Sequence, residues 1–142
     1  MVRRGFAGLA GLALIAALIP VGLGAQGEAQ SLGSVTLNRR VFANGQALAA
    51  GTYTLRLTTE SAAPAVGLPA GSERWIEFVQ GNEVRGRELA SVVPADEVSD
   101  VAETAAPGRG AIRVDLLRGG EYLRIWVNQG GTHYLVHLST SN

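Results

Sequence analysis

Cysteine is absent from all 142 residues, and lysine with it: the 12 basic residues are all arginine. Without a thiol the chain forms no disulfide, no thiolate metal site and no cysteine-linked lipid anchor. Histidine is nearly absent, with two residues, which leaves little material for acid–base or nucleophilic chemistry. An excess of charge of either sign is also missing, since 12 basic residues face 12 acidic ones and no long charged run occurs. Nucleic-acid binders carry a basic excess on one face, and this chain offers no such footprint. No phosphate loop and no Gly-x-Ser-x-Gly element appears.

What is present begins with a hydrophobic amino terminus. Met1-Val-Arg-Arg4 is followed by an uncharged, Leu/Ala/Ile/Val-rich run from Gly5 to Leu23, ending in small residues at Gly22, Gly24 and Ala25. A basic segment, an apolar segment and a small-residue exit describe a secretory signal peptide, expected as a helix over residues 1–25. The run is also about long enough to span a bilayer as an anchor. Pro20 and the nearby glycines favour cleavage, because they break the helix where a peptidase needs extended chain, and no basic stop cluster follows. Cleavage is expected after Gly24 or Ala25, with Ala29 as a later site, so the protein is read as exported, periplasmic or extracellular. Residues 26–33 read as a flexible lead-in and 34–142 as a single domain, with no membrane span left once the leader is gone. With Arg3 and Arg4 removed, ten arginines face 12 acidic residues, a net charge of −2.

The domain reads as β-structure throughout. Ser34 to Phe42 forms a first strand, with Val35 and Leu37 inward and an exposed Asn38-Arg39-Arg40 interruption, and Asn44-Gly45 marks a tight turn. From Gly51, Tyr53, Leu55 and Leu57 alternate with Thr52, Thr54 and Arg56, as in a half-buried antiparallel strand. Ser61 to Ser72 is an Ala/Pro/Gly-rich loop. Arg74 to Gln80 and Glu83 to Val93 form a hairpin around Gly81-Asn82. A three-residue turn there sets Phe78 opposite Val84, Glu77 opposite Arg85 and Trp75 opposite Arg87. Gly86 then suggests a bulge or a close approach of another element. Pro94 to Gly110 is a second long connection, with one or two helical turns within Ala95 to Ala106; its four carboxylates lack the order of a calcium loop.

Two glycine pairs set the register of the last thirty residues. If Gly119-Gly120 and Gly130-Gly131 are two-residue turns, Ile112, Val114 and Leu116 lie opposite Val127, Ile125 and Leu123, which lie opposite Tyr134, Val136 and Leu138. Three strands then choose the same apolar face independently, which a one-residue slip would destroy. The reverse face carries Leu117 beside Tyr122, the row Asp115–Arg124–His137, the row Arg113–Trp126–Leu135, and Asn128 beside His133. It reads as a solvent-facing surface held by ion pairs and cation–π contacts, or as a shallow ligand or partner surface built on Tyr122, Trp126, Arg113, Arg124 and His137.

Catalytic and metal readings find little support. His133 and His137 lie about 13 Å apart if four residues separate them along a strand, too far to share an ion. Glu77 and Glu88 invite comparison with a glycosidase carboxylate pair, but pairing with Arg85 and Arg74 accounts for both. No catalytic residue, metal or cofactor is expected.

The segment Leu48-Ala-Ala-Gly-Thr-Tyr-Thr-Leu-Arg-Leu57 resembles the L-x-x-G-x-Y-x-L-x-L strand of exported transthyretin-like and carboxypeptidase-regulatory-like β-sandwich modules. The resemblance covers about ten residues and implies a non-catalytic accessory or binding domain. The fold expected is all-β, a single antiparallel β-sandwich of about seven strands, or else a partly closed β-barrel. The function expected is a non-enzymatic exported module acting on an envelope protein, polymer or small ligand; the alternative is an assembly subunit that pairs through an edge strand.

Overall fold

A computed structural model describes residues 29–141 apart from positions 64 and 103. The expected signal peptide lies outside the described residues. Among those residues no helix is long and apolar enough to cross a membrane.

Among the described residues nine strands follow one another as β1 (Gln30–Leu37), β2 (Val41–Ala43), β3 (Gln46–Leu48), β4 (Gly51–Ser61), β5 (Glu73–Gln80), β6 (Glu83–Val93), β7 (Ile112–Leu117), β8 (Tyr122–Gln129) and β9 (Thr132–Ser139). A 3₁₀ turn (Ala95–Glu97) and the one-turn helix α1 (Val98–Val101) stand between β6 and β7. The all-β antiparallel class holds. The count exceeds seven because the Asn44-Gly45 turn closes a separate short hairpin of β2 and β3, with Ala43 opposite Gln46. Order also begins earlier than composition suggests. β1 starts at Gln30, inside the expected lead-in, because Leu32 is buried and Gln30 pairs with Leu57.

All nine strands belong to one open sheet. β1, β4, β5 and β6 lie side by side, β6 joins β9, and β9 carries β8 and then β7 on its other edge. The hairpin of β2 and β3 attaches where Phe42 meets Ser139. The sheet folds back so that the β4–β6 and β8–β9 meanders face each other across one core. Tyr53, Leu55, Leu57, Ile76 and Phe78 from the first pack with Leu123, Ile125, Val127, Val136 and Leu138 from the second. Tyr53 meets Phe78 edge-on at 6.2 Å, and its hydroxyl donates to the Ala49 carbonyl at 2.7 Å, so its polar tip is satisfied.

The register of the closing meander is the one the glycine pairs imply. Ile112, Val114 and Leu116 face Val127, Ile125 and Leu123, and these face Tyr134, Val136 and Leu138. Gly130 and Gly131 have φ of 63° and 96°, the paired positive values that a two-residue hairpin turn between right-twisted strands demands. The other turn is longer: a 3₁₀ turn at Arg118–Gly120 and then Glu121 separate Leu117 from Tyr122, and an even number of residues preserves the pairing.

The β5–β6 hairpin departs from expectation. Its turn has two residues, with Gln80 opposite Glu83, and a bulge after Val84 then sets Phe78 opposite Gly86 and Glu77 opposite Arg87. Glu77 therefore pairs with Arg56 rather than Arg85, and Arg85 pairs with Glu83. Arg87 still covers Trp75, its guanidinium 4.2 Å from the ring centre, reaching it diagonally across the ladder. Gly86 combines both features read from its position. It flanks the bulge, and a Cβ there would stand 3.1 Å from Leu48 Cδ2 of the β2–β3 hairpin.

Candidate functional site

The face of β7, β8 and β9 turned away from the core holds the residues singled out from the sequence. Its rows are Arg113–Trp126–Leu135, Asp115–Arg124–His137 and Leu117–Tyr122. Half of this face is not surface. Trp126 is 1% exposed and Leu135 4%, because Val98, Ala102 and Ala106 of the β6–β7 connection pack over them with Val93. Trp126 thus leaves the set of surface residues and becomes the centre of a second, small core. The spacing of four between Val98, Ala102 and Ala106 was the signal in the sequence, but Ala and Val at three positions of an acidic loop give too little contrast to stand out.

Polar contacts stitch the cover down. Arg113 donates to the Ala105 carbonyl and, at 3.0 Å, to Thr104 Oγ1, while Asn128 Nδ2 donates to the Pro107 carbonyl at 3.0 Å. Asn128 Oδ1 accepts from Gly131 N–H at 3.0 Å, tying the cover to the β8–β9 turn. Beneath it the Trp126 indole N–H donates to His133 Nδ1 at 2.8 Å. His133 is buried, and desolvation pushes its pKa below the usual 6.5.

Asp115 organises the uncovered half. Its Oδ2 accepts from Arg113 Nε and from Arg124 Nη2, each at 3.0 Å. Partial burial pushes this carboxyl up, but the hydrogen bonds and charges of Arg124 and Arg113 outweigh it and hold the pKa below the usual 3.8. The two guanidiniums lie over the Trp126 ring, 5.0 and 5.1 Å from its centre. Arg124 Nε is buried with no hydrogen-bond partner among the described residues.

Two concavities open beside this cluster and meet at Leu117 and Arg118. One, of about 330 Å³, is lined by Leu117, Arg118, Tyr122 and His137. The other, of about 490 Å³, is lined by Val101, Thr104, Leu117, Arg118 and Arg124. Tyr122 is 37% exposed, and Arg118 stands 5.8 Å over its ring. His137 is exposed, and its pKa is lowered by desolvation and by the charge of Arg124. Of the five residues named from the sequence, Tyr122, Arg124 and His137 border this cleft, Arg113 serves mainly to hold the cover, and Trp126 lies beneath. Leu117 stands beside Tyr122 as the register implied, whereas Arg118, Val101 and Thr104 were not foreseen, since Arg118 sits in a turn and the other two belong to the β6–β7 connection.

The carboxylates that suggested other chemistry are separated. Glu88 lies opposite Ile76 and Glu77 opposite Arg87, so the two acids point to opposite faces of the sheet. Glu88 accepts from the backbone N–H of Asn44 at 2.5 Å and of Leu89 at 2.9 Å rather than pairing with Arg74, which donates to the Thr58 carbonyl. Among the described residues no group of three or more His, Asp or Glu is placed to hold a metal ion.

No protein-family model matches the chain, and no curated protein and no solved structure is found to be similar to it.

Proposed function

We propose that the protein is an exported, non-enzymatic binding module whose ligand site is the cleft between the β7–β8 turn and the β6–β7 connection. The observation that carries the reading is the convergence of Arg118, Arg124, His137 and Tyr122 on two adjoining concavities. Guanidinium groups beside an aromatic ring suit a ligand with an anionic group and a flat or apolar part, the former forked by arginine and the latter laid on Tyr122. Among the described residues Arg124 Nε has no acceptor, and a buried donor of this kind gains most from a new one.

The walls are suited to binding rather than turnover. Asp115 is committed to two arginines, and His137 faces a cation rather than a carboxylate that would make it a base. The leader-like segment over residues 1–25 and the resemblance at Leu48 to Leu57 support an accessory role in the cell envelope. The ligand class is an acidic envelope polymer, small molecule or partner protein surface.

Titration of the isotope-labelled protein with acidic oligosaccharides and with inorganic phosphate tests the reading by NMR. Shifts confined to Arg118, Tyr122, Arg124 and His137, and abolished in Tyr122→Ala, are expected. Shifts that avoid this cleft, or binding that survives both Tyr122→Ala and Arg118→Ala, would reject it.

A further inference from the structure

The sheet has open edges at β1, β3 and β7, and they differ in kind. β1 is distorted by a bulge between Ser31 and Gly33, and β3 is three residues long. Both features blunt an edge against pairing. β7 has six residues, pairs on one side only with β8, and shows no break in that pairing from Ile112 to Leu117. It contains no proline or lysine to discourage a partner. Its core-side residues run out past the core, leaving Val114 39% and Leu116 48% exposed on the face that β8 and β9 bury.

The main-chain groups on the free side can be assigned. The two-residue turn after Gln129 commits the backbone groups of Leu123, Ile125 and Val127 to β9, so those of Tyr122, Arg124 and Trp126 are left for β7. The Asn128 N–H donates to the Ala111 carbonyl at 3.1 Å, which continues the same alternation. Arg113, Asp115 and Leu117 therefore aim their backbone groups at β8, and Ile112, Val114 and Leu116 aim theirs outward.

We propose that β7 pairs with β7 of a second copy of this chain, antiparallel about a two-fold axis at Val114. Val114 then lies opposite Val114 of the second copy and Ile112 opposite Leu116, each a pair whose N–H and C=O groups already point across the junction. One face of the new ladder is apolar in all three pairs. On the other face Arg113 lies opposite Asp115 of the second copy, and Asp115 opposite Arg113. Sliding the two strands to either adjacent register that keeps the outward groups paired sets Arg113 against Arg113 or Asp115 against Asp115. Charge therefore selects the register centred on Val114. A self-complementary strand fits a second copy better than an unrelated chain, because one six-residue pattern supplies both halves. Tyr122 and His137 stand on β8 and β9, one and two strands in from the free edge.

The test uses the whole chain, which has no native cysteine to confuse it. Sedimentation of the wild-type protein across a range of concentrations is expected to show a monomer–dimer equilibrium. Val114→Cys is expected to form a disulfide-linked dimer on mild oxidation, because residues in a hydrogen-bonded antiparallel pair have Cα atoms about 5.5 Å apart, within disulfide reach. Leu116→Cys is expected to remain uncrosslinked, its counterpart lying about 13 Å away along the ladder. Val114→Lys, which sets two like charges face to face on an exposed site, should weaken dimerisation at least about tenfold with unchanged circular dichroism. A protein that sediments as a monomer at every concentration overturns the proposal. So does a dimer that persists unchanged in Val114→Lys, or one that crosslinks through position 116 and not through 114.

Discussion

The indole N–H of Trp126 donates to Nδ1 of His133 at 2.8 Å, edge to ring, with both side chains buried beneath the β6–β7 connection. The bond requires His133 to be neutral with its proton on Nε2. A proton on Nδ1 would place two donors head to head in a site that water does not reach.

Stability is expected to fall as pH drops below about 6.5. The folded pKa of His133 is lowered by desolvation, so above the unfolded value both states are neutral and the contribution is complete. Below it the unfolded chain takes up a proton that the folded chain refuses, and folding is disfavoured. His137 is lowered too and acts with the same sign. The melting temperature should therefore be lower at pH 5.5 than at pH 7.5, about one unit to either side of the unfolded value. His133→Gln should shrink the difference, and an undiminished difference in that variant would show that His133 does not carry it.

Trp126→Ala is expected to act on folding, not on a surface. Removing the indole opens a cavity under Val98, Ala102 and Ala106 and deprives two guanidiniums of the ring they cover, at a cost of about 3–5 kcal/mol. Tyr122→Ala, at an exposed site, should change stability by less than about 1 kcal/mol. Chemical denaturation of the two variants separates the buried aromatic from the accessible one.

Leu55 is fully buried at the centre of the larger core, between β1 and β5. Leu55→Ala should cost about 2–5 kcal/mol in the same measurement, with a value near zero placing β4 outside the core.

Gly86→Ala should destabilise despite being conservative in size and extended in backbone. The added methyl would meet Leu48 Cδ2 at 3.1 Å and Ala43 Cβ at 3.5 Å, and both residues are buried. A loss of about 1–3 kcal/mol is expected from overpacking, relieved in part by Leu48→Ala in the double mutant.

Local chemistry made much of the fold legible. The register of β7, β8 and β9 follows from glycine pairs that accept positive φ and from an alternation that only one pairing keeps on one face. The inward set Tyr53, Leu55 and Leu57 follows from the same period. These are properties of neighbours along the chain or across one turn, and a sequence carries them directly. The β5–β6 turn departs from expectation because an unbroken two-residue hairpin gives poorer cross-strand neighbours than a three-residue turn, and the bulge that restores good pairing to the shorter turn lies where Gly86 meets Leu48, a residue from another hairpin.

Which face is inside was a different kind of question. By pattern Val114 and Leu116 should be buried and Trp126 should lie on the surface, yet Val114 and Leu116 stand out at the sheet's edge and Trp126 is sealed. Alternation assigns a residue to one side of a strand. It does not say how far the opposing meander extends or which loop folds across the other side. Burial at Trp126 depends on a connection that closes over it through Ala105, Thr104 and Pro107. Such contacts join residues that share no turn or ladder, so they exist only once the chain is folded. The sequence by itself determined the β class, the order and register of pairing in the closing meander, and the lack of any disulfide. Only the tertiary structure decided where the surface is, and with it which arginines, tyrosine and histidine border the cleft.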